Sequence, residues 1–482
     1  MPYSGVRDFL QCLEAEGEVA HVAAEVDLRY EVGAICFKTL RARGPALVFD
    51  RPGGSEIPLA VNLFANRKRY ARAIEADTER LHEAWTERMA RPIPPVIVDD
   101  GPCKENILLG DDVDLSWIPV PTWNGLDGGA FITMACHVSK DPATGDHNVG
   151  MYRAQVHDRR TIGILAAPYT HIMQHRAKWP DGPFPVALAI GVDPTLVLTA
   201  VAAFPREADE LAMAGALRQK PMELVRCETI PLEVPAAAEI VLEGEMIPGD
   251  LIEEGPFGEF AGYYGTRLPR QAIRIKAITH RTNPIHHATY TGMPPHESAL
   301  ITAIPREAEI LRLAQATGLV KVHVTEGGCG AFNVIASIRK PYEGHGKMAA
   351  MSILGSPIGR YIKNVIVVDD DIDPYDLGQV DWAIATRVLA SRDVQVITDV
   401  TGMILDPALP EEEQRLGTAR GSKLIIDATR HNAKTFPVLV QPDEATLERV
   451  EREWDRYGIP LGSSGAAPRA PVGSATAGAH AG

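Results

Sequence analysis

The chain has 482 residues, 45% of them apolar and 23% charged, a globular composition that excludes a disordered, collagenous or fibrous protein and a length that predicts about two to four domains. Acidic residues outnumber basic ones 63 to 48, for a net charge of −15. Unless its basic residues are strongly segregated, such a chain repels nucleic acid and anionic membrane, so a small-molecule function is favoured.

The first helix is legible: Ser4 can cap it, Val6, Phe9, Leu10 and Leu13 recur at helical spacing, and Gly17 ends it. The same stretch has no basic segment leading into an apolar run, which predicts a cytoplasmic location. Residues up to about Asp111 mix helices with short strands such as Ala46 to Phe49, and the Pro- and Gly-bearing stretch Asp99 to Pro121 reads as a connector. From Phe131 to about Tyr290, short β-branched runs (Ile132 to Val138, Thr161 to Leu165, Val186 to Val192, Leu196 to Val201, Ala272 to Ile278) predict an antiparallel sheet or small barrel. The apolar run Pro194 to Pro205 within it is well short of the roughly 18 residues that cross a bilayer. Helices are predicted at about Glu207 to Leu217 and, with Pro305 in its first turn, Pro305 to Thr317. Strands at Phe332 to Ile338, Asn364 to Val368 and Val394 to Thr398 then alternate with helices as in an α/β layer. The helix Asp443 to Tyr457 puts Leu447, Val450, Trp454 and Tyr457 on one stripe, which needs a partner surface in this chain or in a second copy. After Pro460 the small-residue sequence cannot bury enough apolar area to order itself. Six cysteines are spread thinly with no C-x-x-C pair, a pattern of reduced, mostly buried thiols rather than a zinc site or disulfide framework.

Phosphate-loop, dinucleotide, H-E-x-x-H and nucleophile-elbow signatures are absent. The segment Glu253-Glu254-Gly255-Pro256-Phe257-Gly258-Glu259 folds back at Pro256, so Glu254 and Glu259 either flank one site or stand solvated on a hairpin. Together in a site, one carboxyl would have its pKa raised, as a general acid near neutral pH requires. Strand alternation places Met151, Arg153 and Gln155 on one face and Tyr152, Ala154 and Val156 on the other; an inward Arg153 needs a carboxylate partner. His171 and His175 are one helical turn apart, a spacing that suits either a metal pair or structure. Glu210 lies in a first helical turn, where it also complements the helix dipole. Of His286 and His287, adjacent on a strand, at most one faces a given ligand, and Asp369-Asp370-Asp371 reads as a solvated strand end.

Taken together, Asn148 and Arg153 in N-x-x-x-x-R, His171 in P-Y-T-H, Glu210 ahead of A-M-A-G-A-L-R, the run V-R-C-E-T-I-P-L-E-V-P-A-A-A-E-I-V-L-E-G and the run E-G-P-F-G-E-F-A-G-Y-Y-G resemble the UbiD family of decarboxylases, over roughly Val6 to Trp454. The resemblance implies a multidomain α+β fold: an N-terminal α/β region (1–115), a central split-barrel-like flavin-binding domain (116–310) and a C-terminal α/β oligomerisation domain with a terminal helix (311–460), followed by a disordered tail (461–482). It implies a reversible, non-oxidative carboxy-lyase using prenylated FMN, whose phosphate is bound through a divalent metal, Mn2+ or else Mg2+, with K+ nearby. By residue matching the metal ligands would be Asn148, His171 and Glu210, with Met151, Tyr152, Arg153 and Thr170 also beside the cofactor. The catalytic set would be Arg153, Glu254 and Glu259. Some members have Asp where this chain has Glu259, and some use a lysine near the phosphate; Lys363 lies in that region without an assigned role.

The residues agree with this reading. Losing CO2 from an sp2 carbon needs an electron sink that no side chain supplies, Arg153 can orient a carboxylate with Glu254 as its ion-pair partner, and Glu259 can deliver a proton. The Asn/His/Glu set, free of thiolate, suits Mn2+ or Mg2+. The resemblance also implies that substrate-pocket residues come from the region His286 to Glu297, where His287, Tyr290 and His296 would make a polar, aromatic-tolerant pocket, favouring a small aromatic or heteroaromatic acid over a cinnamate-type acid. A flavin-binding, non-catalytic subunit of a multi-component carboxylase is the alternative of another class, and the complete Arg/Glu/Glu set argues against it. Expected partners are the acid, CO2, a second copy of the chain as homodimer or homohexamer, and a separate flavin prenyltransferase, with neither nucleic acid nor membrane.

Overall fold

The computed structural model describes residues 3–179, 182–204, 208–313, 317–416, 419–432 and 435–460. The tail expected to be disordered, and the start of the helix expected from Glu207, lie outside them. The fold is α+β and multidomain, built on three main sheets.

The first helix, Val6–Ala15, buries Val6, Phe9, Leu10 and Leu13 as its spacing requires, but Gly5 is the capping position. Ser4 instead donates its backbone N–H to the Asp8 carboxylate, which reaches back from the first turn (2.9 Å). This helix packs beside a four-stranded sheet of Val19–Val22, Ala46–Phe49, Leu59–Val61 and, from far along the chain, His286–Ala288. The last runs parallel to Leu59–Val61 with His287 opposite Ala60.

The central layer is a ten-stranded antiparallel half-barrel. Its spatial order is Ala130–Ile132, Ala154–Asp158, Thr161–Ile164, Leu268–His280, Ile240–Met246, Phe184–Ile190, Ala135–Lys140, His147–Met151, with Leu251–Glu254 and Asn106–Leu109 also pairing with the long 268–280 strand. Its concave core is aliphatic, with Ile132, Ile162, Val186, Leu188, Leu242 and Ile273 fully buried. The 196–201 stretch expected as a strand is the helix Pro194–Ala200: Asp193 caps it through Thr195 N–H and Pro194 starts it, and these end signals outweigh the β-branched residues.

The third sheet, Leu319–Val324, Asn333–Ile338, Asn364–Asp369, Arg420–Ala428 and Val394–Thr401, is mixed, with parallel pairs at its centre and antiparallel ones at its edges. It joins the half-barrel through the helix Glu297–Leu313, which contains Pro305 in its interior rather than at its start. His296 supplies the missing start signal: its Nδ1 accepts from Ala299 N–H (3.2 Å). The Asp369–Asp371 run is no solvated strand end, because Arg387 and Arg430 pair with Asp369 and Asp371. The terminal helix is shorter than its sequence pattern, Glu444–Arg452 followed by a 3-10 turn Trp454–Tyr457, and buries no residue.

Candidate active site

The strand His147–Met151 ends two residues before Ala154–Asp158 begins. Strand alternation therefore fails at Tyr152 and Arg153, and both line the same cavity. Arg153 is the centre of a buried ion network. Its Nε and Nη2 donate to the two oxygens of Glu254 (2.7 and 2.9 Å), and its Nη1 also donates to Glu259 Oε1. The carboxyl of Glu254 is fully buried and Glu259 is nearly so. One guanidinium serves both carboxylates, its planar fork taking Glu254 bidentately and its outer edge taking Glu259. The guanidinium carbon also stands 5.1 Å from the centroid of Phe257. A second cation, Arg270, acts on Glu254 from a site whose burial lowers the Arg270 pKa.

The loop between the two carboxylates is fixed from below. Gln155 accepts from Gly255 N–H (2.8 Å) and donates to Gly128 O (2.9 Å), and the Asp127 carboxylate accepts from Gly258 N–H (2.8 Å). Two glycines allow the close approach. A Cβ at Gly128 would lie 2.2 Å from Gly255 O, and one at Gly265 would lie 2.7 Å from Glu259 Oε1.

The second cluster lies where two helices begin against the 147–151 strand. His171 is the first residue of His171–Lys178, and Glu210 is the first of Glu210–Arg218, behind the Asp209 cap. Glu210 Oε2 accepts from Val149 N–H (2.9 Å), and Oε1 faces His171 Nδ1 at 3.8 Å, too long for a direct hydrogen bond. Burial raises the Glu210 pKa. Asn148 is buried, and among the described residues its Nδ2 has no hydrogen-bond partner. No group of three His, Cys, Asp or Glu side chains suited to a metal occurs among the described residues. With Glu210 and His171, the donor set the sequence suggests would offer a metal a carboxylate, an imidazole and the Asn148 amide oxygen, a chemistry that fits a hard or borderline divalent ion such as Mn2+ or Mg2+. His175 takes no part, being held by Ser139 Oγ at 3.3 Å and by Asp141 at 3.8 Å.

A cavity of about 340 Å³ adjoins the Arg153 network; Tyr169 and Thr170, just before His171, belong to its lining, but Asn148, His171 and Glu210 do not. Met151, Tyr152, Arg153, Thr170 and Glu259 line it, and the Thr170 hydroxyl donates to Ala167 O (2.7 Å). The expected pocket residues do not. His287 is buried within the N-terminal sheet, in its 286–288 strand, the Tyr290 hydroxyl donates to Asn124 Oδ1 (2.9 Å), and His296 bonds to Phe260 O (2.9 Å) and Ser298 Oγ (2.6 Å). Burial lowers the His287 pKa to about 3 and that of His296 to about 4, so both are neutral. Their neighbours Thr289, Thr291 and Ser298 face the cavity instead. Sequence reasoning missed Phe257, Phe260, Arg306 and Tyr361, and the 403–405 segment that closes one side. The two Phe residues lay within or beside a recognised motif; the others carried no local signal. Lys363 is engaged by Asp406 (2.9 Å).

Family models for the 3-octaprenyl-4-hydroxybenzoate carboxy-lyase (UbiD) match residues 10–89 with its N-terminal domain, 96–294 with its Rift-related domain and 299–428 with its C-terminal domain. The chain belongs to the UbiD family of carboxy-lyases. Among solved structures it is similar to the UbiD-class enzyme HmfF from Pelotomaculum thermopropionicum in complex with FMN: 34% identity, TM-score 0.82, covering 93% of this chain and 99% of that one. The closed form of vanillic acid decarboxylase from Sedimentibacter hydroxybenzoicus is 32% identical with TM-score 0.84, covering 95% of this chain and all of that one. Apo 3,4-dihydroxybenzoic acid decarboxylase from Klebsiella pneumoniae is 27% identical with TM-score 0.81, covering 93% and 99%.

Proposed function

We propose that this enzyme removes CO2, reversibly and without net oxidation, from a small aromatic or heteroaromatic carboxylic acid. The observation that carries the proposal is Arg153 held between Glu254 and Glu259 on the wall of the cavity. Two of the similar proteins are decarboxylases of benzoic-type acids, and HmfF has been seen with FMN and with prFMN, which supports an aryl substrate and a flavin. Prenylated FMN, when bound, supplies the electron sink that a leaving CO2 requires.

The chain's own residues do the rest. Arg153 orients the substrate carboxylate by charge and by its fork geometry, and Glu254 keeps the guanidinium aimed. Glu259, at the cavity edge of the network, delivers from its carboxyl oxygen the proton that replaces CO2, and takes it back in the carboxylation direction. Asn148, His171 and Glu210 would hold Mn2+, or Mg2+, against the flavin phosphate, with K+ nearby and Met151, Tyr152 and Thr170 beside the cofactor.

The enzyme depends on a separate flavin prenyltransferase and works in the cytoplasm, a setting supported by six free cysteines. Among the described residues no helix is long and apolar enough to cross a membrane. It forms a homo-oligomer: Val438, Val440 and Leu447 of the C-terminal segment are 92%, 98% and 44% exposed, an apolar face that a second copy would cover.

The test is purified enzyme made with the prenylated flavin supplied, screened for CO2 release and solvent H/D exchange over aryl, heteroaryl and acrylic acids. Turnover is expected with an aryl or heteroaryl acid. Turnover with acrylic acids alone would overturn the substrate class, and silence across the panel would overturn the catalytic reading.

A further inference from the structure

Arg306, on the helix Glu297–Leu313, lines the cavity and is only 8% exposed. Among the described residues its one hydrogen bond goes from Nη1 to Gly330 O; Nε is buried without a partner, and no carboxylate comes within ion-pair distance. A buried guanidinium satisfied by one carbonyl is costly unless an anion joins it. Burial, with the nearby Arg360 adding to it, lowers its pKa to about 10, so it stays charged at neutral pH.

Its place in the cavity says which anion. Arg306 stands 4.8 Å from the centroid of Tyr361, and Arg360 stands 4.7 Å from Tyr361 and 5.0 Å from Tyr169. Tyr169 is two residues before His171. Tyr152, Tyr169 and Thr170 line the same cavity as Tyr361 and Arg306. Tyr169 and Thr170, which immediately precede His171, thus share the cavity with Tyr361 and Arg306, whereas Arg153 serves the carboxylate pair. The nearby lysines are already committed, Lys363 to Asp406 (2.9 Å) and Lys423 to backbone carbonyls including Gly359 O (2.9 Å), while Arg360 donates to the Tyr361 hydroxyl (2.6 Å) and is not part of the cavity lining.

We propose that Arg306 binds the phosphate monoester of the flavin, from the 297–313 helix, a different element from those of the proposed metal donors Asn148, His171 and Glu210, which belong to the 147–151 strand and to the starts of the 171–178 and 210–218 helices. The free Nε edge of the fork matches two phosphate oxygens. The inference rests on the flavin reading above and adds a residue to it.

The experiment measures binding of FMN and of riboflavin, which lacks the phosphate, to flavin-free protein with Mn2+ by quenching of flavin fluorescence. Wild type is compared with Arg306→Met and Arg306→Lys, each checked for native circular dichroism. Arg306→Met should weaken FMN by about 10- to 100-fold, the worth of a charge-assisted bond, and leave riboflavin within about twofold. Arg306→Lys, which keeps the charge, should fall between and decides the matter if the Met variant misfolds. Equal losses for both flavins, or no loss for either, would overturn the assignment. Unchanged FMN affinity with a raised KM for the acid would overturn it in favour of a substrate contact. Wild type that binds neither flavin would instead sink the flavin reading itself.

Discussion

His287 offers a quantitative check on how this fold treats its buried histidines. It lies in the His286–Ala288 strand, fully buried, and neither ring nitrogen has a hydrogen-bond partner among the described residues. Burial lowers its pKa to about 3, against about 6.5 in an unfolded chain. The folded state thus binds fewer protons than the unfolded one, so stability is full above about pH 6.5 and is lost as pH falls from there toward the folded value. At pH 5 the unfolded chain has gained about 1.5 pH units of protonation free energy, or about 2 kcal/mol, that the native state cannot recover. His287→Phe removes this linkage and keeps a flat ring near Phe64, whose centroid is 6.0 Å away. Urea denaturation of wild type and variant at pH 7 and pH 5 should show the variant gaining about 2 kcal/mol on wild type between the two pH values. The other buried histidines, His137, His286 and His296, with pKa values near 4, are common to both proteins and cancel in the difference. Parallel pH profiles would refute the reasoning, because they would mean that His287 titrates in the fold as it does in water.

The proposed chemistry makes three further expectations. Arg153→Lys keeps a charge but cannot bridge Glu254 and Glu259 with a planar fork, so turnover should fall at least about 100-fold at unchanged flavin content; wild-type turnover would make Arg153 structural. Glu210→Gln should retain the fold yet lower Mn2+ and flavin occupancy together, measured by metal analysis and absorbance, with affinity down at least about tenfold; full occupancy of both would remove Glu210 from the metal site. Glu259→Gln should keep flavin and lose both decarboxylation and solvent-deuterium exchange by about 10² to 10⁴, with Glu259→Asp keeping a fraction; wild-type exchange in Glu259→Gln would hand the proton to Glu254 or a water.

What the sequence revealed was local. The first helix's buried stripe, the antiparallel run of the half-barrel and the turn that returns Glu259 beside Glu254 all follow from spacing and turn residues within a short window. The failures are of two kinds. Some are competing local signals, as where Asp193-Pro194 begins a helix through residues that look like a strand, and where the chain leaves β geometry at Tyr152 and Arg153 and defeats face counting. Others are long-range. Arg306, Tyr361 and the 403–405 segment reach the cavity only because the third sheet folds back over the half-barrel, and no period or motif in their own neighbourhood records that.

The segment expected to touch substrate holds the wall in place instead. His296 accepts at Nδ1 from Ala299 N–H and Ser298 Oγ and donates at Nε2 to Phe260 O, a neutral tautomer that fastens the start of the 297–313 helix to the loop following Glu259. Glu297, fully buried, accepts from Asn62 N–H (3.1 Å) and Phe64 N–H (2.9 Å), tying the same helix start to the N-terminal sheet. Ser298, Ile301, Thr302 and Arg306 then emerge on the cavity side at helical spacing. Polar residues in this stretch are buried for two different reasons: the histidines are packed into the protein, whereas Ser298, Thr302, Thr289 and Thr291, each hydrogen-bonded within the protein, also line the cavity. Contact with a ligand therefore falls to that lining and not to the histidines beside it.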